Sequence, residues 1–145
     1  MDSLASLRKL IVIGLGAIAL LVAACAAMSP VKTLSVVLTG AEEVPPVVTA
    51  GTATGSFMVA ENMSVSGSLA TSGLDATAAH IHMGVRGENG PIAIGLVKTG
   101  DNVWSVAPGA KFNESQYANF LAGRTYVNVH TPANKSGEIR AQLQP

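Results

Sequence analysis

Short segments in which apolar and small polar residues alternate recur along most of the chain, and Gly, Pro, Asn and Ser separate them. Alternation with a period of two is typical of a β-strand that buries one face. Roughly eight such segments at spacings of about 8–12 residues predict an antiparallel sandwich or barrel. We therefore expect an all-β fold, an antiparallel Greek-key β-sandwich with one short helix. The predicted strands are Thr33–Thr39, Gly51–Val59, Met63–Ala70, Thr77–Met83, Ile92–Val97, Val103–Val106, Arg124–Thr131 and Glu138–Leu143.

The predicted helix covers Asn113–Ala122. Asn113 is a favourable N-cap, and Gln116 stands at the position that completes a capping box. Gly123 is a favourable residue to end the helix. These signals predict the helix from its termini.

Residues 1–24 have the features of a secretory signal. Arg8 and Lys9 give a basic start, and Leu10–Ala24 follows without a charge and ends in small residues. The apolar run is shorter than the roughly 20 residues that a membrane-spanning helix needs. A retained transmembrane anchor is the alternative interpretation.

The single cysteine of the chain, Cys25, follows the apolar run directly. The sequence Val-Ala-Ala-Cys that ends at Cys25 resembles a bacterial lipobox, whose cysteine is lipidated and becomes the new N-terminus. Each buried methylene of the attached acyl chains contributes about 0.8 kcal/mol to membrane binding. We therefore expect Cys25 to carry a lipid anchor.

The chain is then divided into a signal peptide at 1–24, a lipid-anchored tether at 25–32 and a β-domain at 33–145. This organisation predicts export to the cell envelope, with the membrane as a partner through the N-terminal lipid. Ala26 gives no retention signal of the Asp type after the lipidated cysteine. In a cell with two membranes, we therefore expect the anchor in the outer membrane.

Charged residues make up 12% of the chain, and its formal net charge is zero. Binding to nucleic acid needs a clustered basic surface, so no nucleic-acid partner is expected. The sequence suggests neither a nucleophile–base arrangement nor a phosphate loop, and adjacent Glu42 and Glu43 would point apart on an extended backbone. We expect a non-enzymatic binding domain, with an envelope protein or a glycan as a further partner.

All three histidines of the chain fall in strand-like segments. Because side chains alternate along a strand, His80 and His82 share one face, and His130 shares a face with Asn128. If the two strands are neighbours, the three imidazoles converge with a spacing that suits copper or zinc, and copper binds more tightly to a given nitrogen site. Asn128 or Glu138 could orient a ring from behind.

A structural role for the same histidines is the alternative, because histidines on a sheet face often bond to loop backbone and fix a turn. The domain would then be a protein- or polysaccharide-interaction module that contains no metal. The Gly-rich loop, Gly84–Pro91, follows the His-x-His strand. We interpret it as a long connection, with a tight turn at Asn89-Gly90.

Three blocks in this order resemble the chordin-like (CHRD) family and cover nearly the whole β-domain. They are LSVVLTGAEEVPPVVTAGTATGSF at Leu34–Phe57, TAAHIHMGVRGENGPIAIGL at Thr77–Leu96 and YVNVHTPANKSGEIRAQL at Tyr126–Leu143. The family resemblance also includes His80, His82, His130 and the Gly-Glu-Ile-Arg stretch that ends at Arg140.

This resemblance implies a β-sandwich of a kind found in bacterial exported proteins and in chordin, with a binding or scaffolding role and no established catalysis. The chain departs from the family pattern at 60–62, where an Asp-Gly turn is usual. It also departs at Met83, where a Gly often follows the second histidine.

Overall fold

The computed structural model describes residues 32–145. The predicted signal peptide, Cys25 and all of the predicted tether except Lys32 lie outside the described residues. The signal peptide, the lipidation of Cys25 and the tether therefore stay predictions. Among the described residues, no helix is both long enough and apolar enough to cross a membrane.

Eight strands and one α-helix make up the regular structure of residues 32–145, together with a short 3₁₀ turn at Gly40–Glu42. The predicted strands are all present, with ends that differ by a few residues. The elements are β1 Thr33–Leu38, β2 Thr52–Val59, β3 Val65–Ser72, β4 Ala78–Met83, β5 Ile92–Gly100, β6 Val103–Val106, α1 Glu114–Leu121, β7 Thr125–His130 and β8 Ile139–Leu143.

The strands form one antiparallel sheet in the order β1-β2-β3-β6-β5-β4-β7-β8. β4, β5 and β6 are consecutive neighbours, and β3 returns beside β6, which is the Greek-key arrangement. β5 belongs to both halves of the sheet, because Ile92–Gly95 pairs with β4 and Leu96–Gly100 pairs with β6. A backbone bridge between Thr39 and Arg140 nearly closes the sheet into a barrel.

The expected all-β fold with one short helix is confirmed. The helix has the predicted capping box, because the side chain of Asn113 accepts from the backbone N–H of Gln116 and the Gln116 side chain accepts from that of Asn113. Gly123 adopts φ +70° directly after the helix and so ends it in the left-handed conformation.

The core lies inside the curled sheet, where alternation places one face of each strand. In β1, for example, Leu34, Val36 and Leu38 are buried and the residues between them are exposed. Each fully buried aliphatic or aromatic side chain contributes roughly 1.5–3 kcal/mol. The most completely buried members are Leu38, Phe57, Leu69, Ala79, Ile81, Val127, Val129, Ile139 and Leu143.

The polar faces of β4, β7 and β8 lie side by side, because β7 pairs with both of the other strands. This face is largely covered and not open to solvent, since Arg140 of β8 is 2% exposed and Asn128 of β7 is also 2% exposed. The Gly-rich loop covers part of it, as its hydrogen bonds to β8 show below.

Candidate metal centre

The three histidines come together on the polar face of β4 and β7. The register of the two strands places Ala78 opposite His130 and His80 opposite Asn128, so His80 and His130 are diagonal neighbours. Ring centroids are 5.5 Å apart for His80 and His82, 4.7 Å for His80 and His130, and 6.0 Å for His82 and His130. We refer to these three residues as the histidine cluster.

Two backbone carbonyls fix the tautomers of two of the rings. Nδ1 of His82 lies 2.9 Å from the carbonyl oxygen of Gly90, and Nδ1 of His130 lies 3.0 Å from that of Lys135. A carbonyl oxygen only accepts, so each Nδ1 carries a proton and donates it. Nε2 of both neutral rings is therefore left with a free lone pair.

The unprotonated Nε2 atoms of these two rings have different surroundings. Nδ1 of His80 lies 2.9 Å from Nε2 of His130, and His80 is the donor because the proton of His130 is on its other nitrogen. Nε2 of His82 is buried and has no hydrogen-bond partner. An unpartnered buried acceptor is costly, so this nitrogen is a candidate metal ligand.

The spacing fits a single metal ion after small ring rotations. One nitrogen from each histidine lies within 4.8 Å of the other two. Two imidazole nitrogens on a tetrahedral metal lie about 3.4 Å apart, given metal–nitrogen bonds of about 2.1 Å. The rings therefore need to close by at most about 1.4 Å.

The surroundings keep the cluster neutral near pH 7. Burial, together with the nearby His130 and His82, lowers the pKa of His80 from 6.5 to about 4. Burial also lowers the pKa of His82 and of His130, although the carbonyl of Gly90 or Lys135 acts in the opposite direction. Neutral imidazole is the form that binds a metal.

A stack of two further side chains supports His82. The ring of Tyr126 lies parallel to that of His82, and the guanidinium carbon of Arg140 lies 3.3 Å from the centre of the Tyr126 ring. The Tyr126 hydroxyl accepts from the backbone N–H of Gly90 at 3.1 Å. Tyr126 therefore contacts both His82 and the residue whose carbonyl orients it.

Arg140 and Gln142 hold the Gly-rich loop against the sheet. Arg140 donates to the carbonyls of Glu88 at 2.9 Å and Val85 at 3.0 Å, and Gln142 donates to the carbonyl of Gly84 at 2.8 Å. The loop is thus more than the long connection that the sequence indicated, because it delivers the Gly90 carbonyl to His82.

Asn128 lies between His82 and a buried carboxyl group, that of Glu43. The Asn128 side chain is close enough to influence the pKa of both residues, and it donates to the carbonyl of Ser136 at 3.4 Å. Burial raises the pKa of Glu43, and one carboxyl oxygen of Glu43 and the amide oxygen of Asn128 have no hydrogen-bond partner. Asn128 thus lies close to His82, and its role in orienting the ring stays a prediction.

The structure does not bring Glu138 to the histidine cluster. Its carboxylate accepts from Thr49 at 2.6 Å, from Asn134 at 3.1 Å and from Thr131. These bonds lower the pKa of Glu138, most of all the one from Thr131. They connect the start of β8 to two loops, which is a structural arrangement.

A surface cavity of about 530 Å³ gives access to the cluster. His80 and His130 line it, whereas His82 is 8% exposed and lies behind them. The site therefore has a closed side at His82 and an open side at the cavity.

Three residues of this site were not identified from the sequence: Tyr126, Arg140 and Glu43. Tyr126 stands two residues before Asn128 on the same strand face, which is a signal that strand alternation alone could have given. Arg140 and Glu43 act through contacts between distant parts of the chain, for which the sequence has no local signal.

The described residues form an eight-stranded Greek-key domain in which three histidines of β4 and β7 converge. The family model described as CHRD domain matches residues 34–143. The chain belongs to the CHRD family, as the three sequence blocks predicted. Neither the comparison with curated proteins nor that with solved structures gives a match.

Proposed function

We propose that this CHRD domain binds one copper ion through His80, His82 and His130. The observation that carries the proposal is the buried, unpartnered Nε2 of His82 within a cluster whose nitrogens lie within 4.8 Å of one another. A purely structural histidine would be expected to have its buried nitrogen atoms paired. Here Nδ1 of His82 and of His130 is paired with a backbone carbonyl, Nε2 of His130 accepts from His80, and Nε2 of His82 has no partner.

Copper is favoured over zinc by the chemistry of the donors. Divalent copper binds more tightly than zinc to a given set of nitrogen ligands. Three neutral imidazoles suit both metals, so the preference is one of affinity. Because the pKa values of the histidines are lowered, protons compete little with a metal for their nitrogen atoms at neutral pH.

The role that follows is storage, delivery or sensing of the metal, without catalysis. We further propose that the protein is exported and held at the cell envelope by a lipid on Cys25. The lipobox-like sequence before Cys25 supports this location. Labelling with a radioactive fatty acid in the wild type, and its loss in Cys25→Ser, is the expected result; equal labelling of both would contradict it.

The direct test of metal binding is titration calorimetry of the purified protein with copper(II) and, separately, with zinc(II). We expect one copper per chain with higher affinity than zinc. A variant with alanine at all three histidine positions should bind no copper above the level of the buffer. Thermal unfolding of this variant must first show that it is folded.

Three other results would change this conclusion. Equal copper binding by the folded triple variant would contradict the proposal. Absence of binding in the wild type would favour the alternative, an interaction module in which the histidines only fix the loops. Binding of zinc with the higher affinity would keep the site and change the metal.

A further inference from the structure

The cavity beside the histidine cluster has a chemistry that the three metal ligands do not explain. Its walls include Thr77, Ile92 and Pro132, and Lys135 carries the positive charge. His80 and His130 contribute to the same wall. A ligand in the cavity would therefore meet the open side of the cluster, apolar side chains and an exposed lysine residue.

We propose that a metal in the histidine cluster keeps one coordination position open to this cavity, and that a small anion binds there. This inference rests on the proposed metal site and names the further ligand that the site would take. Metal sites with three protein ligands and one open position are typical of centres that exchange a ligand, whereas structural sites are closed by four.

The geometry decides which side of the metal is free. Nε2 of His82 is fully enclosed, so the metal has protein on that side. His80 and His130 are only half-buried and line the cavity, so an ion between the three rings is open toward it. The cavity of about 530 Å³ is large enough for a small anion.

The charges favour an anion over a neutral ligand. Three neutral imidazoles leave the charge of a divalent ion uncompensated, and Lys135 adds a positive charge at the cavity wall. The nearby carboxylate of Glu138 lies behind Thr131 and is held by three hydrogen bonds.

The test is a titration of the copper(II)-loaded protein with sodium azide, a small anion that gives a charge-transfer absorption band when it binds copper. We expect saturable binding of one azide per copper and a changed electron paramagnetic resonance spectrum. Lys135→Gln should weaken azide binding by about two- to fivefold, the range of an exposed charge interaction. Lys135→Arg should retain the affinity.

Lys98→Gln is the matched control, because Lys98 is exposed on β5 and is not among the residues that line the cavity. It changes the net charge equally and should leave azide affinity unchanged. Copper stoichiometry is measured first in every variant. If copper loads and azide changes neither spectrum, or if Lys135→Gln and Lys98→Gln are equivalent, the inference is overturned and the copper site stands. If copper does not bind to the wild type, both the copper site and the anion site are contradicted.

Discussion

The ring of Tyr126 lies parallel to the imidazole of His82, with 4.9 Å between the ring centroids and 6° between the ring planes. This contact joins the histidine cluster to Arg140, which covers the other face of Tyr126, and to Gly90, which donates its N–H to the Tyr126 hydroxyl. The orientation of His82 thus depends on residues from β7, β8 and the Gly-rich loop.

Tyr126→Phe is expected to lower copper affinity by about tenfold or more, the lower end of the usual effect of losing a group that supports a metal ligand. The variant keeps the stacked ring and removes the acceptor of the Gly90 N–H, so the Gly90 carbonyl becomes less fixed at His82. Calorimetry with copper(II) measures the change. Tyr117→Phe, the same chemical change on α1, should not alter the affinity; equal affinity in all three proteins would contradict this role of Tyr126.

Arg140→Lys is expected to destabilise the fold by about 2–3 kcal/mol. A lysine cannot reach both the Glu88 and the Val85 carbonyls from one planar group, and the carbonyls left without a donor carry a desolvation cost. Urea unfolding measures the change. Arg124→Lys, at the exposed residue just before β7, should stay within about 0.5 kcal/mol of the wild type. Similar losses of free energy of unfolding in both variants would contradict a stabilising role of the contacts between Arg140 and the Gly-rich loop.

Glu43→Gln tests the buried carboxyl group. Because burial raises the pKa of Glu43, the protonated form is favoured in the folded state, and its contribution is present at low pH and lost as the pH rises through the raised pKa. Gln keeps the shape without the charge. The variant should therefore gain free energy of unfolding relative to wild type at pH 7 and less at pH 4.

Glu42→Gln is the control for this pair of pH values. Glu42 is partly exposed and paired with Arg86, and an exposed ion pair contributes roughly 0–1 kcal/mol. The free energy of unfolding of Glu42→Gln should differ little from that of the wild type at either pH. A Glu43→Gln variant that is equally less stable at both pH values would contradict an unfavourable buried charge.

The free energy of unfolding of the metal-free protein should fall as the pH drops from about 6.5 toward about 4. All three histidines of the chain have lowered pKa values in the folded state, to about 4 for His80, so the unfolded chain binds more protons in this range. Urea unfolding at several pH values measures the slope. His80→Gln should show a smaller fall between pH 6.5 and 5, and an identical slope would contradict the burial of His80 as a neutral ring.

Much of the fold follows from local sequence patterns. Alternation predicted the strands and the shared face of His80 and His82, and side-chain caps at Asn113 and Gln116 predicted the helix. Alternation leaves open whether the sheet divides into two layers or curls into a barrel. Here β5 continues from one half into the other, and the bridge from Thr39 to Arg140 nearly closes the ring.

The sequence predicted that the three histidines converge, and it predicted less of what surrounds them. Glu138 was considered as a residue that could orient a ring, because alternation places it with Arg140 and Gln142 on the polar face of the predicted last strand. It lies just before β8, where Thr49, Thr131 and Asn134 bind its carboxylate. Gly137 shows how closely these residues pack, because a Cβ there would lie 2.6 Å from the Asn128 amide nitrogen. Its φ of +138° also favours glycine. Such contacts depend on the folded chain and leave no local pattern.

The most direct measurement is X-ray absorption at copper in the loaded protein, which counts the imidazole ligands of the metal. Three imidazoles are expected in the wild type and two in His82→Gln, provided that circular dichroism shows both proteins to be folded. The same imidazole count in the two folded proteins, or fewer than three in the wild type, would contradict copper binding by His80, His82 and His130.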